Sequence, residues 1–122
     1  MLKGEFLYDY KYDLLTFKIK DREYKQSFEL QNFIVDVDDK NYITGIRIQD
    51  ASRVTGVDKY ALKSLISGSF KASYEDGVVN IRIKFVSKVR NKMFLSEEKN
   101  FIQQFTSPVN TKQKLHGTEA EV

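Results

Sequence analysis

The absences in this sequence of 122 residues narrow what the chain can be. It contains no cysteine, which excludes disulfides, thiolate nucleophiles and zinc sites of the Cys-rich type. No run approaches the roughly 18 apolar residues that span a bilayer, and no apolar leader follows Met1. We therefore expect a cytoplasmic protein with no membrane partner.

The common catalytic signatures are also missing. The single histidine, His116, lies in a polar segment without a nucleophile or metal-ligand type nearby. Ser64, Ser67 and Ser69 lack the context of a nucleophile elbow, and Gly68 alone makes no phosphate-binding loop. We predict no catalytic residue, no metal and no cofactor.

Charge is distributed unevenly along the chain. Residues 1–52 contain 8 Lys and Arg against 10 Asp and Glu, whereas residues 53–122 contain 12 against 7. The first half is therefore negative and the second positive. This asymmetry permits a polyanionic partner for the second half without requiring one.

Alternating apolar and polar residues predict antiparallel strands in the first half. Leu15, Phe17 and Ile19 alternate with polar residues, and the same period of two continues through residues 24–37 and 42–48. We interpret residues 6–52 as a β-meander.

The period changes after residue 55. An apolar stripe at helical spacing, followed by Gly68, predicts one helix over residues 56–67; its members are Ala61, Leu62, Leu65 and Ile66. Asp76-Gly77 then predicts a two-residue turn, because both of its positions need φ > 0. The strands on either side would be residues 70–75 and 78–89.

Residues 93–106 fit two patterns. Ser96 and the two glutamates after it are able to cap a helix, but the apolar residues also share strand parity, and the short connection after Val89 favours an antiparallel return. We favour a strand. The expected architecture is a single α+β domain over residues 1–107, with a hairpin region at 70–106 and a polar tail at 108–122.

Three separated segments of the first half resemble a known family. They are Tyr8-Asp9 with Asp13-Leu14-Leu15, then Val35-Asp36-Val37-Asp38, and then Gly45-Ile46-Arg47-Ile48 with Asp50-Ala51-Ser52. Their order and spacing are similar to a family of short prokaryotic domains of unknown function, whose pattern runs roughly YDxxxDxLYIxL, VDxDxxGxxxGIEIxDAS. The resemblance covers residues 6–52 and implies a β-meander ending in a helix, with no reaction.

The sequence departs from that pattern at two places. Asn41 lies near the position where the family has a turn glycine, and Arg47 replaces an acid. Any acidic role at position 47 is therefore in doubt.

Two groups of acids are candidates for chemistry. Asp36, Asp38 and Asp39 with Asn41 suggest calcium, but Lys40 and Asn41 occupy positions where a calcium loop needs a ligand and a glycine, so a hairpin loop explains them better. Asp9, Asp13 and Asp50 would need to converge to act as acid and base. Each is better explained by a turn or an element junction.

A basic stripe is the one constellation that remains. Five cations share parity on a predicted strand whose other face is apolar; they are Arg82, Lys84, Lys88, Arg90 and Lys92. Same-face side chains lie about 6.6 to 6.8 Å apart along a strand, so the row suits a phosphate backbone. A solvated sheet face explains the stripe better than a binding role does, and this parity lacks the aromatic residues that single-strand binders use.

These observations favour a non-enzymatic binding or structural domain that acts by association. Exposed strand edges and 16 Phe and Tyr residues (9 Phe, 7 Tyr) predict a homo-oligomer. The alternatives are a nucleic-acid-binding module that uses the basic stripe and a small enzyme whose site forms between subunits.

Overall fold

The computed structural model describes residues 2–95, 99–104 and 115–121. Strands take up 63% of the described residues, and only two short helices accompany them. The elements are β1 (Leu2–Asp9), β2 (Leu14–Ile19), β3 (Gln26–Leu30), β4 (Phe33–Val37), β5 (Ile43–Ile48), α1 (Ala51–Thr55), α2 (Lys59–Lys63), β6 (Leu65–Glu75), β7 (Val78–Val89), β8 (Lys92–Leu95), β9 (Lys99–Gln104) and β10 (Thr118–Glu121). The predicted α+β class is therefore wrong, because the described chain is mostly one sheet.

The strands form this sheet in the order β3-β4-β5-β2-β1-β10-β6-β7-β8, and β9 pairs with the other half of the β7 edge that β8 uses. Neighbours are antiparallel except for β1 and β10, which are parallel. The meander is wrong in its order, since β5 lies between β4 and β2. Gly45 permits this approach, because a Cβ there would lie 2.7 Å from the carbonyl oxygen of Phe17.

The sheet curls so that its distant parts face each other across the core. The rings of Phe17 in β2 and Phe70 in β6 stack at 4.4 Å between centroids, although two strands separate β2 from β6 in the sheet. Phe33 in β4 and Phe101 in β9 lie 5.0 Å apart. The buried apolar residues of both halves therefore form one cluster.

The single helix predicted over residues 56–67 is also wrong. Gly56 has φ +73° and ends α1, and Asp58 starts α2 by accepting a hydrogen bond from the Tyr60 N–H at 2.8 Å. Leu65 and Ile66, two members of the apolar stripe, belong to β6. Neither described helix is long and apolar enough to cross a membrane.

The predicted hairpin around Asp76-Gly77 is present, with φ of 51° and 80° at its two turn residues. Both β8 and β9 pair antiparallel with β7, in agreement with the preferred strand interpretation of residues 93–106. The expected polar tail differs from the structure at residues 115–121, because Leu115 is buried, His116 bridges to Tyr42, and β10 inserts between β1 and β6 and buries Ala120. The rest of the tail expectation, residues 108–114 and 122, lies outside the described residues.

Candidate functional site

Tyr8, Asp13 and Ser52 form a closed hydrogen-bond network that we call the clamp. Asp13 lies in the turn after β1 and accepts hydrogen bonds from the Tyr8 hydroxyl at 2.6 Å and the Ser52 hydroxyl at 2.6 Å. The Ser52 N–H donates to both Asp13 carboxylate oxygens at 3.0 and 3.2 Å. The Asp13 carbonyl accepts from the Ala51 N–H at 2.9 Å. The clamp thus ties the β1–β2 turn to the start of α1.

The clamp changes the acidity of two of its members. Burial alone would raise the pKa of Asp13, but the hydrogen bonds from Ser52 and Tyr8, with help from the charge of Lys59, lower it overall. Burial and then the hydrogen bond to Asp13 raise the pKa of Tyr8 above its ordinary value. At neutral pH Asp13 is therefore an ionised acceptor and Tyr8 a protonated donor.

The three aspartates considered for acid and base chemistry do not converge. Asp9 accepts a hydrogen bond from the Tyr12 N–H at 3.0 Å within its own turn, and Asp50 forms an exposed ion pair with Arg53 at 3.4 Å. Asp13 is committed to the clamp. Each side chain therefore has a separate local role.

The acids that were considered for calcium and attributed to a hairpin loop are also divided. Asp36 lies nearly buried on the outer face of β4, where it forms an ion pair with Arg47 at 2.8 Å and accepts from the Ser27 hydroxyl at 2.6 Å. Asp38 accepts hydrogen bonds from the backbone of Lys40 and Tyr42, both at 2.9 Å. Within the described ranges, no three acidic, histidine or cysteine side chains form a group that suits a metal ion. The base at position 47 thus neutralises Asp36.

The predicted basic stripe is divided between two surfaces. Arg82, Lys84 and Lys88 are exposed along one face of β7, opposite a buried apolar face. Arg90 lies in the turn with φ 51°, and Lys92 pairs with Val89 across the ladder. Paired residues share a face of the sheet, so Lys92 lies with Val89 on the opposite face from Lys84.

A groove of about 950 Å³ lies on that opposite face. One wall is residues 56–61, which run from the end of α1 into α2, and the other is the last part of β7 with the turn after it. Val57, Ala61, Phe85 and Val89 make the lining mostly apolar, and Arg90 and Lys92 add positive charge. The Lys88 N–H donates to the Ser64 carbonyl at 3.1 Å and joins the end of α2 to β7.

Tyr60 lies between this groove and a second, shallower depression of about 590 Å³. Tyr10, Arg53 and Lys59 contribute to the second depression. The rings of Tyr10 and Tyr60 lie 6.1 Å apart, and Lys59 Nζ lies 5.0 Å from the Tyr10 centroid. The two depressions and the tyrosines between them form one continuous surface.

Sequence reasoning singled out Arg90 and Lys92 of this surface but not its tyrosines. Tyr10 belongs to a turn and Tyr60 to the polar side of a helix, and neither position is distinctive in the sequence. Lys63 Nζ also lies 5.3 Å from the Tyr10 centroid, which shows that a contact across about fifty positions assembles the group. The aromatic and basic residues form a cluster only in the folded chain, so the sequence contains no local pattern that reveals it.

Comparisons with known proteins give relatives without an assigned activity. A family model described as "Protein of unknown function (DUF2283)" matches residues 6–52, the segment that contains the clamp. An uncharacterised protein of the archaeon Methanocaldococcus jannaschii is 29% identical over 97 residues, which cover 79% of this chain and 84% of that protein. No solved structure gives a significant match. The resemblance to a domain of unknown function is therefore confirmed, although its letter pattern is not.

Proposed function

We propose that this chain is a non-enzymatic binding domain whose ligand occupies the groove beside Tyr60. The groove itself is the observation that supports this function: it is large enough for a ligand, mostly apolar, and bordered by positive charge. The strongly hydrogen-bonded acid, Asp13, lies in the clamp and is not among the residues that line the groove. This separation supports a role in association rather than in acid–base catalysis.

An apolar anion that fluoresces when it leaves water tests this role. Anilinonaphthalene sulfonate matches the groove in both its rings and its charge, so we expect saturable binding to the folded protein. Ala61→Phe should abolish that binding because the new ring fills the groove. Ser73→Phe, an exposed position on another strand face, is the matched control. Equal titrations for the native protein and Ala61→Phe would show that the groove is not the site.

Association with a second copy of the chain is a further part of the proposal. Within the described residues, β3 pairs only with β4 and leaves its other edge open. Open edges favour pairing with another chain. Light scattering at tens of micromolar protein should therefore give at least twice 14.3 kDa. A mass equal to that of one chain would contradict it.

The outer face of β7 supports nucleic-acid binding as a second candidate. Arg82, Lys84 and Lys88 are exposed there in a row. Glu119 pairs with Lys71, which pairs in turn with Arg82, so acids on β10 offset part of the charge. Binding through this face alone should be weak and should fall steeply with salt.

A further inference from the structure

We propose that the groove binds single-stranded nucleic acid, with a base stacked on Tyr60 and phosphates contacting the cations on both sides of that ring. This inference rests on the proposed binding role of the groove and names its ligand. Proteins that bind single strands combine aromatic faces for the bases with positive charge for the backbone. The surface around Tyr60 contains both.

Tyr60 offers the aromatic face. Its side chain is 63% exposed, although its backbone is fixed by the hydrogen bond to Asp58. A tyrosine has only two side-chain torsions, so it loses less freedom when a base stacks on it than a longer side chain would. Tyr10, 42% exposed and 6.1 Å away, extends the same surface into the second depression.

Positive charge lies on both sides of the tyrosines. None of the four cations that flank them forms an ion pair with an acid of the described chain; they are Lys59, Lys63, Arg90 and Lys92. Asp58, the acid of the groove wall, uses its side chain to start α2. The surface therefore has cations without acidic ion-pair partners, although Lys59 Nζ donates to the Tyr10 carbonyl at 3.3 Å, and this suits an anionic chain.

The shape favours a strand over a duplex or a single nucleotide. The two depressions share residues 56–58 and Tyr60, so an extended ligand would pass the ring with cations ahead of it and behind it. In a duplex the bases stack on one another and leave no face for Tyr60. Ser87, 4% exposed, lines the groove and carries a hydroxyl group. It offers a donor and an acceptor to a base edge.

Fluorescence anisotropy with labelled oligo(dT) and oligo(U) strands tests the proposal. We expect Tyr60→Ala to weaken binding by about tenfold to a hundredfold, because stacking on the ring is lost. Tyr60→Phe keeps the ring and should bind like the native protein. Tyr12→Ala is the matched control, since Tyr12 is 69% exposed and does not line either depression.

The salt dependence tests the phosphate contacts separately. Lys92→Ala should lower the slope of log Kd against log salt by about 0.7, the value for one phosphate of a single strand. Lys84→Ala, on the outer face of β7, should leave the slope unchanged. Duplex DNA and uridine monophosphate at equal nucleotide concentration should compete poorly.

Several results would overturn the inference. They are equal affinities for Tyr60→Ala and Tyr12→Ala, a larger effect of Lys84→Ala than of Lys92→Ala, and competition by the mononucleotide as good as that by the strand. Failure to bind either strand more tightly than an unrelated protein of the same net charge would overturn it as well. If the groove still bound anilinonaphthalene sulfonate in that case, the binding role would survive and only the ligand class would be wrong.

Discussion

The clamp and the groove are neighbours that use polar groups in opposite ways. In the clamp, the Asp13 carboxylate accepts four hydrogen bonds from Tyr8 and Ser52. In the groove, Arg90 and Lys92 have no ion pair with an acid of the described residues. The clamp lies within the segment that the family model matches, whereas the residues that line the groove lie beyond that segment.

This difference separates a structural role from a binding role. A polar network whose groups are satisfied within the chain stabilises the fold and leaves little free energy for a ligand. Unpaired charge beside an apolar surface contributes little to stability but suits a partner. The clamp holds the turn that contains Tyr10, so it positions one side of the binding surface, and its Ser52 also lines the second depression.

The largest effect should come from the core strand beneath the groove. Ile83 is 1% exposed, and Ile83→Lys should lower the free energy of unfolding by about 4 kcal/mol or more, because an unpaired charge becomes buried. Lys84→Glu, on the exposed face of the same strand, should change it by no more than about half a kcal/mol. Urea denaturation midpoints measure both. Similar losses for the two variants would contradict the alternation of β7.

The alternation of β7 and the turn before it were predictable from the sequence, because each depends on residues that are close together in the chain. Asp76-Gly77 specifies its own turn, and Ile81, Ile83 and Phe85 specify their own face. The position of β5 between β4 and β2 was not predictable, because alternation shows which residues form strands but not which strands pair. The strand β10 was not predictable either, because an alternation over four residues is too short to recognise.

The candidate site was predicted only in part for a similar reason. The bond between Asp13 and Ser52 spans 39 positions, so no local pattern reveals it. The sequence interpretation grouped Lys92 with Lys84 on one face, but the alternation of even and odd positions holds only within one strand. The two-residue turn at Arg90 and Asn91 pairs Val89 with Lys92 and thereby puts an odd and an even position on one face.

A substitution in the clamp should give the next largest effect. Asp13→Asn should lower the free energy of unfolding by about 1 to 3 kcal/mol, because charged hydrogen bonds to Tyr8 and Ser52 are weakened or lost. Asparagine tolerates the left-handed conformation at this residue, φ 51°, so backbone strain does not contribute. Asp21→Asn, at φ 64° and exposed, is the matched control and should be nearly neutral. Equal losses for Asp13→Asn and Asp21→Asn would show that the clamp does not stabilise the fold.

The dependence of stability on pH should sharpen the same comparison. The pKa of Asp13 is lowered in the folded protein, so its contribution is present above its unfolded value of about 3.9 and is lost as pH falls through the folded value. The pKa of Tyr8 is raised, so its contribution is present below about 10 and is lost as pH rises beyond it. Asp13→Asn should flatten the acid side of the stability curve and Tyr8→Phe the alkaline side. Unchanged curves for both variants would show that the clamp does not titrate with folding.

The smallest effect should come from the groove. Lys92→Gln should change the free energy of unfolding by no more than about half a kcal/mol, because the side chain has no ion-pair partner in the described chain. At low salt the substitution should slightly raise the free energy of unfolding, since Arg90 lines the same groove and two like charges repel each other. At molar salt this gain should disappear, because the screening length falls to about 3 Å. Thermal denaturation at both salt concentrations measures the difference. A loss as large as that of Asp13→Asn would mean that Lys92 stabilises the fold, and the distinction between a structural clamp and a binding groove would no longer hold.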